Sequence, residues 1–209
     1  MAQNGPGVTN LVTTTAAALV GQTPMVVLGG APMVGQTYRD SIQELDQMSI
    51  FRPVSKAVMQ INRPERGPEM IRDAFRVAMA GKMGPVYVDM PRDIVSGQDV
   101  EIEMSLPESY RPDQKLHGDP ESIDKAVALL EKSKFPVVLA GGGIVWSQAD
   151  KETLRIAEIL EAPVITSYER NDAVDNSHPH YIGALGRAGS PEAIEAVKNA
   201  DVLLALGTR

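Results

Sequence analysis

A series of short, continuous apolar runs constrains the fold of this chain more than any other feature. Each run is bounded by glycine, proline or polar residues, and the runs cover residues 24–30, 85–91, 135–140, 162–166 and 201–207. Short apolar runs between turn residues are typical of strands buried on both faces, which is the environment of a parallel sheet. Because parallel strands need long crossover connections, the runs predict an α/β fold.

Helical periodicity fills most of the segments between these runs. Helices are predicted over residues 11–20, 68–79, 121–133, 149–160 and 190–198. Apolar side chains fall on one face of the third of these helices. The alternation of helix and strand predicts an α/β protein built from doubly wound parallel sheets.

Three segments lack this alternation. Residues 31–49 are polar and mixed and predict a long loop with room for one short helix, while residues 53–58 predict an extended piece. Residues 96–120 are rich in proline and polar side chains, which is typical of a linker. We therefore predict two domains, residues 1–95 and 121–209.

The composition narrows the classes of function. The 209 residues carry a formal net charge of −7, which argues against nucleic acid as a partner because phosphate binding needs a surplus of Lys and Arg. The chain has no cysteine, which excludes disulfides and fits the reducing cytoplasm, where we expect the protein. No segment has the uninterrupted apolar length of a membrane helix, so we expect no membrane partner.

The most site-like stretch lies at the start of the chain. Residues 4–10, here called the N-terminal loop, read Asn-Gly-Pro-Gly-Val-Thr-Asn and lead into a segment rich in alanine and threonine. Glycines around a proline predict a tight loop that feeds a helix, where a ligand or partner backbone can approach closely. No strand pattern precedes this loop, so we expect it to lack a scaffold of its own.

Other candidate residues leave alternatives open. The glycines at 141–143 follow a strand, where they fit either a sharp turn with positive φ or a contact to a nucleotide phosphate. Arg209 either binds a phosphate or is solvated, and Lys56 is either a surface lysine or a cation facing an anionic ligand. His178 and His180 fit a turn better than a metal site, and we predict no metal ligands.

The order of these motifs closely resembles the thiamine-diphosphate-dependent acetolactate synthase family. The resemblance covers essentially the whole chain and is carried by the N-terminal loop, the runs 24–30 and 85–91, the Gln43-Glu44 pair with Lys56, the glycines 141–143 and the Leu-Gly-Thr-Arg of residues 206–209. It implies that residues 1–95 form an incomplete pyrimidine-binding domain. Residues 121–209 then form an incomplete, Rossmann-like central domain.

The resemblance assigns cofactor-binding positions residue by residue. Pro6 and Asn10 match positions beside the aminopyrimidine and thiazolium rings of thiamine diphosphate, and Gln43 and Lys56 match positions near the active centre at a subunit interface. The central-domain positions that match a region able to hold FAD or ADP are Gly141, Gly142, Gly143, Ser167 and Arg209. No catalytic residue is assigned within the chain.

The family's activating glutamate and its Mg²⁺-binding Gly-Asp-Gly segment match no residues of this chain. The resemblance places the glutamate before Gly5 and the Mg²⁺-binding segment after Arg209. The chain is therefore interpreted as a fragment of such an enzyme, and we expect these 209 residues alone to be inactive. The intact protein is expected to be a homodimer or homotetramer, with surfaces around the N-terminal loop and Gln43 at the interface.

The implied activity is that of a carboligase or decarboxylase. A 2-oxo acid loses CO₂ with the help of thiamine diphosphate, and the remaining fragment passes to a second acceptor or to phosphate. Residues 167–173 lack the glycine-rich turn of the FAD-binding synthases, and together with residues 177–189 they resemble sulfoacetaldehyde acetyltransferase. A relative of that enzyme is therefore one alternative, and a non-catalytic nucleotide-binding or interaction module is another.

Overall fold

A computed structural model describes residues 1–96, 99–101 and 117–208. The chain divides into two compact units, Met1–Gln114 and Lys115–Arg209. The point of division lies within residues 96–120, the segment predicted as a linker. Most of that segment lies outside the described residues, so the linker stays a prediction.

Unit 1 is built on a parallel sheet, as the apolar runs predict. Its strands are β1 (Met25–Ala31), β2 (Ala57–Gln60) and β3 (Pro85–Pro91). Its helices are α1 (Pro6–Thr9), α2 (Val12–Val20), α3 (Gln47–Phe51), α4 (Gly67–Met79) and α5 (Arg92–Ser96). The strand order among the described residues is β1-β3-β2, and both pairings are parallel.

The central strand β3 separates two small cores in unit 1. On one face, Ala74 and Ala78 of α4 pack against Val86 and Val88. On the other face, the core includes Val8, Val27, Phe51 and Tyr87, and the two aromatic rings stack with centroids 4.2 Å apart. Alternate residues of β3 thus point to opposite layers, as the period of a strand requires.

The first residues of the chain do have a scaffold, contrary to the expectation for the N-terminal loop. Ala2 forms a parallel bridge with Gly29 of β1. The Ala2 N–H donates to the Leu28 carbonyl at 3.0 Å, and the Gly30 N–H donates to the Ala2 carbonyl at 2.9 Å. The loop therefore starts from the outer edge of β1, a pairing too short to leave a strand pattern in the sequence.

Unit 2 contains a second parallel sheet. Its strands are β4 (Pro136–Ala140), β5 (Val164–Thr166), β6 (Tyr181–Ala184) and β7 (Val202–Leu206). Its helices are α6 (Pro120–Leu130), α7 (Gly142–Ser147), α8 (Asp150–Leu160) and α9 (Pro191–Asn199). The order within the described part is β6-β5-β4-β7, so successive strands run outward from β4 and the chain then returns to its other side. This reversal is the mark of a doubly wound sheet.

Helices cover both faces of the sheet in unit 2. Ile144 of α7 and Ala157 of α8 pack with Val138 and Val164 on one face. Ala193 and Ala196 of α9 pack with Val137 and Ile165, which lie in a separate core. Helix α6 forms as predicted, but its predicted apolar face buries no residue, and Ile123 remains 51% exposed.

The structure differs from the sequence-based elements at residues 53–58, at β6 and at the short helices α5 and α7. Residues 53–58 are only partly extended, because a 3-10 turn over Arg52–Val54 precedes β2. The strand β6 was not predicted, since it lacks a continuous apolar run and contains Gly183 with a φ of 122°. The short helix α5 directly follows Pro91 and was also not predicted. No helix in the described ranges is both long and apolar enough to cross a membrane.

Candidate functional site

The N-terminal loop lies at the carboxyl edge of the sheet in unit 1. Helix α1 is a single turn, with Pro6 as its first residue and Asn10 as its C-terminal cap. Proline suits this position because the first N–H groups of a helix have no partner within it. The side chains of both Pro6 and Asn10 are exposed. The loop thus presents one ring and one amide to a ligand or partner.

Gly5 brings the loop against Gln43. Gly5 is buried with a φ of 64°, and a Cβ at this position would lie 2.3 Å from the Gln43 carbonyl oxygen. Only glycine allows this approach, since the backbone atoms of Gln43 cannot move away cheaply. Gln43 itself has a φ of 58° and an exposed side chain. Pro6, Asn10 and Gln43 are therefore collected at one edge.

A buried polar network lies beneath this edge. The Gly5 N–H donates to Oε1 of Gln47 at 2.6 Å. The Nε2 of Gln47 lies 2.9 Å from the Gly30 carbonyl oxygen and 3.0 Å from Oδ1 of Asp89. The Tyr87 hydroxyl donates to the same Oδ1 at 2.7 Å. Gln47, Tyr87 and Asp89 are all buried, so these hydrogen bonds form away from solvent.

Burial and the carboxylate set the acid–base state of this network. Burial raises the pKa of the Tyr87 phenol strongly, and its hydrogen bond to Asp89 raises it further. The phenol therefore stays a hydrogen-bond donor across the physiological range. The other oxygen of Asp89, Oδ2, accepts from Nε2 of Gln60 at 2.9 Å. The carboxylate thus receives three neutral donors, which is how a buried anion is tolerated.

The segment over residues 33–46 forms the rim of the edge. Glu44 folds it locally, because its carboxylate accepts the Tyr38 N–H and, at 3.0 Å, the Ser41 N–H. These backbone donors lower the pKa of Glu44, the Tyr38 N–H contributing most. The segment leaves large apolar side chains in solvent, with Tyr38 93% and Ile42 86% exposed. Such a surface suits burial by a ligand or partner.

Lys56 does not join this group. Its N–H donates to the Pro85 carbonyl at 2.7 Å, which places it beside the first residue of β3 and at the amino end of the sheet. Its ammonium donates to the carbonyls of Val77 and Ala80 at the C-terminus of α4, the former at 2.6 Å. Partial burial lowers the pKa of Lys56. Within this chain the Lys56 ammonium caps the C-terminal end of α4.

The glycines of unit 2 allow two backbones to touch. Gly141 has a φ of −113°, and Gly142 and Gly143 are the first residues of α7, so the predicted sharp turn with positive φ is wrong. A Cβ at Gly141 would lie 2.4 Å from the Gly207 carbonyl oxygen, and one at Gly143 would lie 2.7 Å from the Gly207 Cα. Gly207 carries the positive φ, at 61°. The contact joins the carboxyl ends of β4 and β7.

The remaining unit 2 candidates lie near this contact or outside the described residues. Ser167 is half-buried, and its N–H donates to the Ala140 carbonyl at 2.9 Å. The side chain of Arg170 covers Gly142, where a Cβ would lie 3.5 Å from it. The Nε of Arg170 is buried without a hydrogen-bond partner among the described residues. Arg209 lies outside the described residues, so its phosphate-binding role stays a prediction.

His178 and His180 of unit 2 lie side by side before β6. Their rings are 5.6 Å apart, and His180 Nδ1 lies 3.0 Å from the Ala162 carbonyl oxygen. His178 Nε2 lies 3.4 Å from Oε1 of Glu158. These contacts tie the turn to α8 and β5. They belong to the amino end of the sheet, away from Gly141 and Ser167.

Sequence reasoning did not find Gln47, Tyr87 or Asp89. Gln47 lies in a segment interpreted as loop, and nothing in its neighbours marks it as buried. Asp89 offered one signal, because a carboxylate inside a continuous apolar strand is costly unless donors surround it. Those donors are Tyr87, two positions away, and Gln60 and Gln47, which lie 29 and 42 positions away and so are not marked by the local sequence.

Comparison with known proteins places both units. The model described as the N-terminal TPP binding domain of thiamine pyrophosphate enzymes matches residues 1–50. The model described as the central domain of the same enzymes matches residues 123–209. Both matches agree with the two parallel sheets and confirm the resemblance inferred from the order of motifs.

Curated relatives align along almost the whole chain. A probable acetolactate synthase large subunit from Methanocaldococcus jannaschii is 39% identical over 99% of this chain and 35% of the relative. A sulfoacetaldehyde acetyltransferase from Alcaligenes xylosoxydans xylosoxydans is 40% identical over 99% of this chain and 34% of the relative. The chain thus spans about a third of the length of these relatives. It belongs to the family of thiamine pyrophosphate enzymes that includes acetolactate synthases and sulfoacetaldehyde acetyltransferases.

Proposed function

We propose that this chain forms the aminopyrimidine-binding part of a thiamine-diphosphate-dependent carboligase or decarboxylase that acts on 2-oxo acids. The observation that carries the proposal is the N-terminal loop, which unit 1 holds at the carboxyl edge of its parallel sheet with Pro6, Asn10 and Gln43 exposed. Ligands of parallel α/β sheets bind at this edge. The match of residues 1–50 to a TPP-binding domain supports the same assignment.

The chemistry of the edge fits the pyrimidine ring better than the diphosphate. Residues 4–11 contain no charged side chain, and the exposed groups of the loop are a proline ring and amide or hydroxyl groups. Such groups can contact a flat neutral ring and hydrogen-bond its amine and nitrogens. We propose that the diphosphate and Mg²⁺ are held by other residues, as the resemblance implies. When bound, thiamine diphosphate supplies the electron sink for decarboxylation.

Sulfoacetaldehyde acetyltransferase activity is an alternative that some of the relatives support. Enzymes of that name are 36% to 40% identical to this chain, and the acetolactate synthases are 34% to 39% identical. The sequence of residues 167–189 points the same way. A carboligase would join the two-carbon fragment to a second carbonyl compound, whereas an acetyltransferase would release acetyl phosphate in the presence of phosphate. Assay of both products in the full-length protein separates the two.

Unit 2 supports a nucleotide-binding proposal of its own. Gly141 and Gly207 lie at the point where the strand order reverses, which is where doubly wound sheets bind ligands. We propose a Rossmann-like site for FAD or ADP near Gly141, Gly142, Gly143, Ser167 and Arg209. A non-catalytic nucleotide-binding module would share this site. Calorimetric titration of the chain with ADP and with FAD tests it, and no heat with either would remove its support.

The assembly and location of the protein are also proposals. The exposed side chains of Val34, Tyr38, Ile42 and Leu45 beside the N-terminal loop support a homodimer or homotetramer that covers this rim. A monomer that shows no association by light scattering at high concentration would contradict this. The absence of cysteine supports a cytoplasmic location.

The pyrimidine-site proposal is tested by titrating thiamine diphosphate into the labelled chain and following backbone amides by NMR. We expect shifts concentrated in residues 5–10 and 43–47. The variants Asn10→Ala and Gln43→Ala should each weaken binding by about fivefold, because each removes one hydrogen-bonding amide. Thr23→Ala serves as the control, since Thr23 is exposed just before β1 at the opposite end of the sheet. Shifts confined to other residues would contradict the proposal.

A further inference from the structure

We propose that Gln47, held in place by Tyr87 and Asp89, is the positioning residue that fixes the N-terminal loop on the carboxyl edge of unit 1. Its meaning for catalysis rests on the proposed cofactor role of that loop, whereas the positioning itself does not. Gln47 is only 3% exposed, so it acts on a ligand through the loop and not by direct contact.

The amide of Gln47 joins the loop to two strands. Its oxygen accepts the Gly5 N–H at 2.6 Å, while its nitrogen lies 2.9 Å from the Gly30 carbonyl of β1 and 3.0 Å from the Asp89 carboxylate of β3. Gly5 directly precedes helix α1, and its N–H donates to a side chain outside that helix. One side chain therefore connects the start of the loop to both strands.

Only one orientation of this amide satisfies its neighbours. Rotating it by half a turn would direct the NH₂ group at the Gly5 N–H and the oxygen at the Asp89 carboxylate, so donors would face donors and acceptors would face acceptors. Tyr87 strengthens this selection because its hydroxyl donates to the same Oδ1 of Asp89 at 2.7 Å. The carboxylate thus fixes the amide, and the amide fixes Gly5.

The paired glycines of β1 serve this network. A Cβ at Gly29 would lie 2.2 Å from the Tyr87 hydroxyl oxygen, so glycine leaves the space that the hydroxyl occupies. Gly30 contributes the carbonyl that faces Gln47. Gly29, which lies in the run 24–30 that carries part of the family resemblance, therefore has a specific structural purpose in this chain.

The hydrogen bonds of Gln47 also position Gln43. Helix α3 carries Gln47, and the segment just before it carries Gln43, whose carbonyl touches Gly5. Anchoring Gln47 on β1 and β3 therefore sets the distance between the loop and Gln43. We expect loss of the Gln47 amide to loosen Pro6, Asn10 and Gln43 together, although none of them contacts Tyr87 or Asp89 in the network described above.

The direct test is hydrogen exchange of the Gly5 amide in the full chain, measured by NMR. Gln47→Ala should speed exchange at Gly5 by about tenfold, because the Gly5 N–H loses the Gln47 oxygen as its acceptor. Amides of β3 should change by less than about twofold when exchange is local. Gln60→Ala is the matched control, since it removes a donor from the other oxygen of Asp89 without touching Gly5. Unchanged exchange at Gly5 in a folded Gln47→Ala chain would overturn the proposal.

Gln47→Glu gives a second test if the alanine variant does not fold. The titratable groups that contact Gln47 are Tyr87 and Asp89. At acid pH a neutral carboxyl at position 47 can donate to Asp89 and still accept from Gly5, whereas at neutral pH two buried carboxylates repel each other. Protection of Gly5 in this variant should therefore fall as pH rises, relative to the unsubstituted chain. Protection that follows the unsubstituted chain at every pH would refute the inference.

Titration with thiamine diphosphate separates this inference from the proposed function. If the chain binds the cofactor, Gln47→Ala should weaken binding by about fivefold and Gln60→Ala should not. Equal binding by the unsubstituted chain and Gln47→Ala would overturn the consequence of this positioning for the cofactor. If the unsubstituted chain does not bind but Gly5 exchange still depends on Gln47, the proposed function fails and the positioning role stands.

Discussion

The two sheets hold their carboxyl edges in opposite ways. In unit 1, polar side chains hold the edge together, because Gln47 and Asp89 connect the N-terminal loop to β1 and β3 through buried hydrogen bonds. In unit 2, the edge is held by a backbone contact, because Gly141 and Gly207 have no side chain and allow the backbones after β4 and β7 to touch directly. The first edge depends on hydrogen bonds between polar side chains, and the second depends on the lack of a Cβ where two backbones meet.

This difference teaches which changes each edge can tolerate. A hydrogen-bonded edge keeps its shape when a side chain is replaced by another of equal length that preserves donor and acceptor positions. A backbone contact rejects any Cβ, whatever the chemistry of the side chain, because the atoms of the facing chain cannot move independently. The predictions below test this contrast, beginning with the largest expected effect.

Gly141→Ala should destabilise unit 2 by about 3 kcal/mol, since the added methyl would overlap the Gly207 carbonyl and force two strands apart. Gly142→Ala is the neighbouring control. The nearest atoms to its Cβ would belong to the Arg170 side chain at 3.5 Å, an ordinary contact at the first position of α7. Chemical unfolding of both variants checks the prediction, and equal stabilities would show that the backbone contact does not hold this edge.

Tyr87→Phe should destabilise unit 1 by about 1.5 kcal/mol, because the buried Asp89 carboxylate loses one of its donors while the stack on Phe51 is kept. Tyr38→Phe is the control, since its side chain is exposed and should leave stability unchanged. Thermal and chemical unfolding of the two variants provide the measurement. A neutral Tyr87→Phe would mean that Gln47 and Gln60 alone satisfy the carboxylate.

Lys56→Met should cost about 0.5 kcal/mol, the usual value of a cation at a helix C-terminus. Methionine keeps the apolar stem and removes the ammonium that caps α4. Lys82→Met, at an exposed lysine in the following turn, is the control. A large loss of cofactor binding with no loss of stability would instead favour the role near the active centre that the family resemblance assigns.

Asp201 should make a small contribution to the stability of unit 2 that is present at neutral pH and lost on acidification. Its carboxylate accepts the N–H groups of Lys134 at 2.7 Å and Phe135 at 3.0 Å. The Lys134 N–H has the largest effect, followed by the Ser133 hydroxyl, and together they lower the pKa of Asp201 to about 2. Because an unfolded aspartate has a pKa of about 3.9, this contribution is complete above that pH and is lost as pH falls towards 2.

Melting temperatures of the unsubstituted chain and Asp201→Asn, measured across this acid range, check the prediction. The difference between the two should be largest near neutral pH and should shrink as the medium is acidified. Asp175→Asn is a comparison at another exposed carboxylate whose pKa is lowered by a local turn. A gap that widens on acidification would contradict the assignment.

The sequence was most informative where structure depends on neighbours in the chain. The runs that became β1, β3, β4, β5 and β7 were predicted because buried parallel strands must be continuously apolar. Helix α9 was predicted from Ser190 and Pro191 at its start, and Ser190 does accept the Ala193 N–H at its N-cap. The strand β6 was missed because pairing with β5, and not its own composition, makes it a strand.

The candidate sites divide along the same line. The order of motifs was enough to identify the family and to mark Gly5, Pro6, Asn10 and Gln43, since these residues form recognisable local patterns. Local pattern did not reveal that Lys56 caps α4 at the far end of the sheet. That placement follows from the register of β2 against β3.

The amino-acid sequence was sufficient for the alternation of helices and parallel strands, because burial and turn formation act over a few residues. The tertiary structure alone brought Gln47 to Tyr87 and Asp89, since hydrogen bonds between residues distant in sequence depend on how the strands are ordered and which face each side chain takes. The same holds for Gly141 and Gly207, whose glycines were visible from the start. The reason why glycine is needed at these positions is a contact between two backbones, which forms only when β7 lies beside β4.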